Sequence, residues 1–124
     1  MRRDMDLCRK LLFYFEERDA FAVDKSPRID GYDENAVQYH LQLLAQAGLI
    51  IYEADRSTSN PERLIRVYPF GLSWAGHEFL DTAKNDTSWN KAKERILAIS
   101  GGLSLSILQA LLVHYAKQGL GLVE

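Results

Sequence analysis

The stretch AVQYHLQLLAQAGLI, residues 36–50, decides how the rest of the chain is read. Val37, Leu41, Leu44 and Ala47 recur at the three- and four-residue spacing of a helix with one buried stripe. Gly48 follows, the residue type that most readily takes the left-handed turn past a helix C-terminus. Upstream, Asp33 is a suitable N-cap, and Glu34 puts an acid where the helix dipole favours one. The spacing therefore predicts a helix over Glu34 to Ala47. Directly after it LIIYEA turns β-branched and aromatic, DRSTSNPE is turn chemistry, and RLIRVYPF returns to strand character. That order predicts a hairpin with a long tip.

Outward from this centre, Leu7, Leu11, Tyr14 and Phe15 mark an amphipathic helix from Asp4 to Arg18, with Asp4 and Asp6 capping it and offsetting its dipole. Asp19 to Tyr32, broken by Pro27 and Gly31, reads as a loop with one short extended piece. Downstream, Ser73 caps a helix with Trp74, Phe79 and Leu80 as apolar positions, and NDTSW ends it and caps another carrying Trp89, Ala92, Ile96 and Ile99. Gly101 and Gly102 break the chain; Ser104 then caps a last helix, with Leu103 and Leu108 placed as a hydrophobic staple and Gly119 as its stop. Helix, short strand, helix, hairpin and helix is the order of a winged helix. The predicted class is mostly α with a small β-hairpin (α+β): a winged helix-turn-helix core over residues 1–83, then a C-terminal helical extension over 84–124. The extension packs on the core or forms a dimer interface, the whole making one structural domain. Leu49 and Ile50 would begin the wing and draw the preceding helix onto the core, and Gly76 would let the next helix approach closely.

With 124 residues, 47% of them hydrophobic, the chain is long enough to bury a core unaided. The single Cys8 excludes an internal disulfide and a zinc knuckle, and predicts a reducing, cytoplasmic setting. Charged residues crowd the first ten positions and no apolar run approaches a bilayer span, so neither a signal peptide nor a membrane segment is predicted. His40, His77 and His114 sit on different predicted helices, without metal-ligand spacing. Nucleophile elbows and phosphate loops are missing, and SGGLS has too few glycines and no βαβ context. The chain therefore reads as a non-enzyme without metal or cofactor.

Five separated motifs, RRDMDLCRKLL (2–12), GYDENAVQYHLQLLAQAGLI (31–50), LSWAGHEFLD (72–81), DTSWNKAKE (86–94) and GGLSLSILQALL (101–112), resemble a bacterial and prophage-associated family of short proteins, domain-of-unknown-function family 2513. The resemblance covers most of the chain, departing mainly in residues 19–30 and 53–68. It implies a winged-helix-like fold and a phage or mobile-element setting. It transfers no catalytic or binding residue.

If Val37, Leu41 and Leu44 face inward, Asn35, Gln38, Tyr39, Gln42 and Gln46 lie on or beside the outer side of the helix. Amides can bond bidentately to adenine in a major groove, and Tyr39 can reach a phosphate or a thymine methyl; a merely solvated polar face is the alternative. Charge weighs against readout. The net charge is −2, no basic residue falls between Arg28 and Arg56, and Asp30, Asp33, Glu34, Glu53 and Asp55 surround the helix. Compensation would come from Arg56, Arg63 and Arg66 on the wing, with Arg56 and Arg63 as its DNA anchors, and from Arg2, Arg3, Arg9 and Lys10; the alternative is ordinary surface charge. Lys84, Lys91, Lys93 and Arg95 alternate with acids as a solvated helix face does. The last helix is apolar around much of its circumference, which predicts a homodimer through Leu105, Leu108, Leu111, Leu112 and Tyr115. Two functions follow: a transcription-regulator-like protein binding duplex DNA, or a module that uses the fold to bind another phage or host protein without touching nucleic acid.

Overall fold

The computed structural model describes residues 1–124 as a mixed α+β chain: α1 (Met5–Glu17), α2 (Glu34–Gln46), β1 (Ile50–Arg56), β2 (Leu64–Leu72), α3 (Trp74–Ala83), α4 (Asp86–Ser100) and α5 (Leu105–Gly119). Two compact units form, Met1–His77 and Glu78–Glu124.

In the first unit Asp4 caps α1, its Oδ1 accepting from the Asp6 and Leu7 amides at 2.9 and 3.1 Å. The helix buries Leu7, Cys8, Leu11, Leu12 and Phe15. The Asp4 amide donates to His40 Nε2 at 2.7 Å, and His40 Nδ1 donates to the Ala36 carbonyl at the same distance. His40 is 2% exposed and carries its proton on Nδ1, so it stitches the start of α1 to α2. Asp33 caps α2 through the Ala36 amide at 2.8 Å, and Gly48 closes it at φ +75°. Val37, Leu41, Leu44 and Ala45 form the buried stripe.

Residues 18–33 contain no helix or strand. The extended piece expected there does not join the sheet: Pro27 and Gly31 interrupt the backbone, and the loop's main-chain bond to the hairpin is Asp24 N–H to the Pro69 carbonyl, 2.9 Å. Arg18 helps hold it, donating to the carbonyls of Ala22 and Phe70 at 2.6 and 3.2 Å.

β1 and β2 pair antiparallel from Ile50↔Leu72 to Arg56↔Leu64. The register slips twice, leaving Phe70 and Ile65 as extra residues on β2. One face of the hairpin therefore carries Ile50, Tyr52, Ala54 and Arg56 on β1 opposite Leu72, Pro69, Val67 and Leu64 on β2. This face is buried at its base and open at its tip. At the base, Ser73 caps α3 through the Gly76 amide at 3.0 Å, and its hydroxyl donates to the Gly48 carbonyl at 2.6 Å. Gly76 passes so near the preceding segment that a Cβ there would sit 2.0 Å from the Leu49 carbonyl oxygen.

In the second unit Asn85 caps α4 through the Ser88 amide at 2.9 Å, and Gly101 ends it at φ +74°. Trp89, Ala92 and Ile96 are its buried stripe, and the Phe79 and Trp89 rings meet edge-on at 6.4 Å. α5 packs on α4. Ser104 stands at its N-cap without a capping bond, its hydroxyl pairing with that of Ser106 at 3.2 Å. Gly119 is the last helical residue, and Gly121 takes the left-handed conformation beyond it.

Three expected core residues are exposed: Ala47, which stands at the C-cap of α2 while Ala45 takes its place in the buried stripe, and Trp74 and Ile99. Trp74, 82% exposed, lies two residues before Gly76 and so on the side of α3 opposite the buried Gly76, Phe79, Leu80 and Ala83. Ile99, 81% exposed, follows Ile96 on the same side of α4 but in a last turn that nothing covers. The expected dimer surface is also revised. Leu108, Leu112 and Tyr115 are buried within the chain, and Leu105 and Leu111 are only half-buried. An interface through all five would require unpacking α5.

Candidate nucleic-acid interface

The open tip of the hairpin's inner face forms one wall of a cleft of about 500 Å³. Gln42 and Gln46 of α2 line the other side, with Tyr52, Arg56, Arg63 and Ile65 of the hairpin region. Tyr52 and Arg56 share the face that begins at buried Ile50, because β1 keeps its alternation through both slips. Arg63 is held by its backbone alone: its amide donates to the Asn60 carbonyl at 2.9 Å and its carbonyl accepts from the Ser57 amide at 3.0 Å. Its side chain is left to solvent. Arg56 is exposed too, steadied by one bond from Nη1 to the Pro61 carbonyl, 3.1 Å. Glu62 is the one acid in the lining, so the cleft keeps a single positive excess.

Of the residues expected to read DNA, Gln42, Arg56 and Arg63 come together here, while Asn35 and Tyr39 lie outside the lining. Asn35 is exposed, and Tyr39 is half-buried, its ring edge-on to His40 at 5.4 Å. Gln38 is a correction. Its Nε2 donates to the Val67 carbonyl and its Oε1 accepts from the Val67 amide, both at 3.1 Å, so the side chain pairs with β2 as a neighbouring strand would. One N–H and one lone pair remain on the amide, but the paired donor and acceptor that a bidentate contact with adenine would use are taken by Val67. Gln42 leans the same way, with Nε2 3.5 Å from the Ile65 carbonyl, at the limit of hydrogen bonding.

The surrounding charges are largely engaged. Glu34 pairs with Arg66 at 3.1 Å, which takes Arg66 away from the wing anchors, and Arg66 also donates to the Lys25 carbonyl. Asp33 caps α2, and Asp55 accepts from the Tyr68 hydroxyl at 2.6 Å, a bond that pushes the phenol's pKa up. On α1, Arg9 lies over the Phe13 ring and Lys10 over that of Tyr32. Gln46, read as part of the amide face of α2, also lines the cleft, whereas Tyr52 was not expected as a site residue. The period-two signal of β1 was available for Tyr52, since it shares a side with Arg56, but the cleft itself exists only once α2 crosses the hairpin.

The chain belongs to the family described as "Hypothetical protein (DUF2513)", whose model matches residues 2–103. An uncharacterized protein of Haemophilus influenzae is 40% identical to it over 111 residues, covering 88% of this chain and 90% of that one. No solved structure matches the chain. No helix is long and apolar enough to cross a membrane.

Proposed function

We propose that the protein is a winged-helix-like DNA-docking protein whose contact with the duplex is made by the hairpin-tip cleft and directed at phosphates, not by an amide face of α2 directed at bases. The observation that carries this reading is the pairing of two solvent-facing guanidinium groups, Arg56 and Arg63, in one cleft with the neutral donors of Gln42, Gln46 and Tyr52. Guanidinium groups bind phosphate oxygens in a fork, and amide and phenol donors complete such contacts without carrying sequence information. The engagement of Gln38 with Val67 takes up its bidentate pairing edge at the centre of the amide face and so favours positioning over readout.

Two arginines neutralise about two phosphates, which gives weak binding and a log-log salt slope of about −2 for B-form DNA. Fluorescence anisotropy of a labelled random duplex, titrated from low to physiological salt, tests this. Arg56→Ala with Arg63→Ala should flatten the slope towards zero at unchanged stability. A slope equal to that of the unsubstituted protein would remove the cleft from the contact.

A further inference from the structure

The unit Glu78–Glu124 has a surface feature of its own. Between α4 and α5 lies an open groove of about 430 Å³, walled by Ile96, Ile99, Ile107, Ala110 and Leu111. Ile99 is 81% exposed and Ile107 54%, although burial of aliphatic side chains is what drives folding and association. Arg95 and His114 are the ionisable groups in the lining, and Lys117 follows His114 by three residues on the same side of α5. No Asp or Glu occurs from Arg95 to Val123. Arg95 has no carboxylate partner in the chain. The groove is thus apolar at its floor and cationic at its edge.

Shape and charge together choose the occupant. A concave, apolar channel between two helices receives a ridge of side chains, which a helix laid in a groove supplies and a flat lipid surface does not. A second copy offering the same face would bring two cationic edges into one interface, with no carboxylate in the groove lining to meet them. We propose that the α4–α5 groove docks an acidic amphipathic helix of another protein, its apolar side chains seated against Ile99, Ile107 and Leu111 and its carboxylates meeting Arg95 and Lys117. This site is independent of the hairpin-tip cleft, and neither reading depends on the other.

The test uses the full chain and two fluorescein-labelled synthetic peptides of about sixteen residues, with leucine at every third or fourth position and glutamate elsewhere in one, lysine in the other. In anisotropy titrations the glutamate peptide should bind at least about tenfold more tightly than the lysine peptide. Arg95→Glu should weaken the glutamate peptide and strengthen the lysine peptide, each by about threefold. Ile99→Ser, at an exposed position and with an unchanged circular dichroism spectrum, should abolish capture of the glutamate peptide. Equal binding of both peptides, binding of neither, or indifference to Arg95→Glu would overturn the proposal. So would a concentration-dependent dimer in sedimentation equilibrium that Ile99→Ser dissociates, since the groove would then belong to a second copy. Cosedimentation with phosphatidylglycerol vesicles that is lost in Ile99→Ser, without peptide binding, would overturn it in favour of a lipid surface.

Discussion

Gln38 completes the fold at the edge of β2, where Val67 otherwise presents an amide and a carbonyl with no strand beside them. A half-buried polar pair left without partners costs more than the net value of the bonds that satisfied it. Gln38→Ala should therefore lower stability by about 1 to 3 kcal/mol in urea denaturation; an unchanged midpoint would contradict its role in the fold. A helical wheel places Gln38 correctly on the polar side of α2 but is blind to which strand passes there. Cys8 is a second case. Burial pushes its thiol up to about 12, so the native protein should be inert to a disulfide reagent at pH 8 and react once unfolded in urea. Because the folded state holds this proton longer than the unfolded chain, stability is complete below about pH 9 and falls as the pH rises towards about 12. Tyr14, raised chiefly by its hydrogen bond to Asp24, acts in the same direction. Urea midpoints that hold steady across that range would refute both assignments.

Among the elements, α2 was the most legible, because its cap, stripe and terminal glycine are all local features. β2 was the least. Its inner face runs Leu64, Val67, Pro69 and Leu72, spacings of three, two and three, so neither a helical nor a strand period describes it. The two slips are set by pairing with β1, which the sequence of β2 does not contain. They also turn Leu64 inward beside Arg56 and thereby shape the cleft. Trp74 fails for the opposite reason: its type argued for burial, while the helical phase of α3 puts it on the far side from Phe79. Gly76 was readable in type and role, and the close approach it permits yields a sharp expectation. Gly76→Ala would drive a methyl to 2.0 Å from backbone at Leu49 and should destabilise by about 3 kcal/mol or more, whereas Gly102→Ala meets nothing within 4 Å and should fold as the parent does. Thermal melts of the two variants compare them directly, and equal melting temperatures would contradict the packing of α3 on Leu49.

For the whole molecule, composition sets only a coarse limit: a net charge of −2 gives no overall basic excess. What composition could not foresee is how the charges are partitioned. Arg66 is neutralised by Glu34, whereas Arg56 and Arg63 remain directed at solvent in one cleft. That distribution, not net charge, supports docking on a phosphate backbone. The measurement that tests this most directly is a two-dimensional nitrogen–proton NMR titration of the labelled protein with a random duplex at low salt, following backbone amides and arginine Nε–H signals. The account predicts shifts at residues 42–46, 52–56 and 62–65, including the Arg56 and Arg63 side chains, that fade as salt is added. An unchanged spectrum, or shifts centred on Asn35 and Tyr39 with the hairpin tip silent, would contradict it.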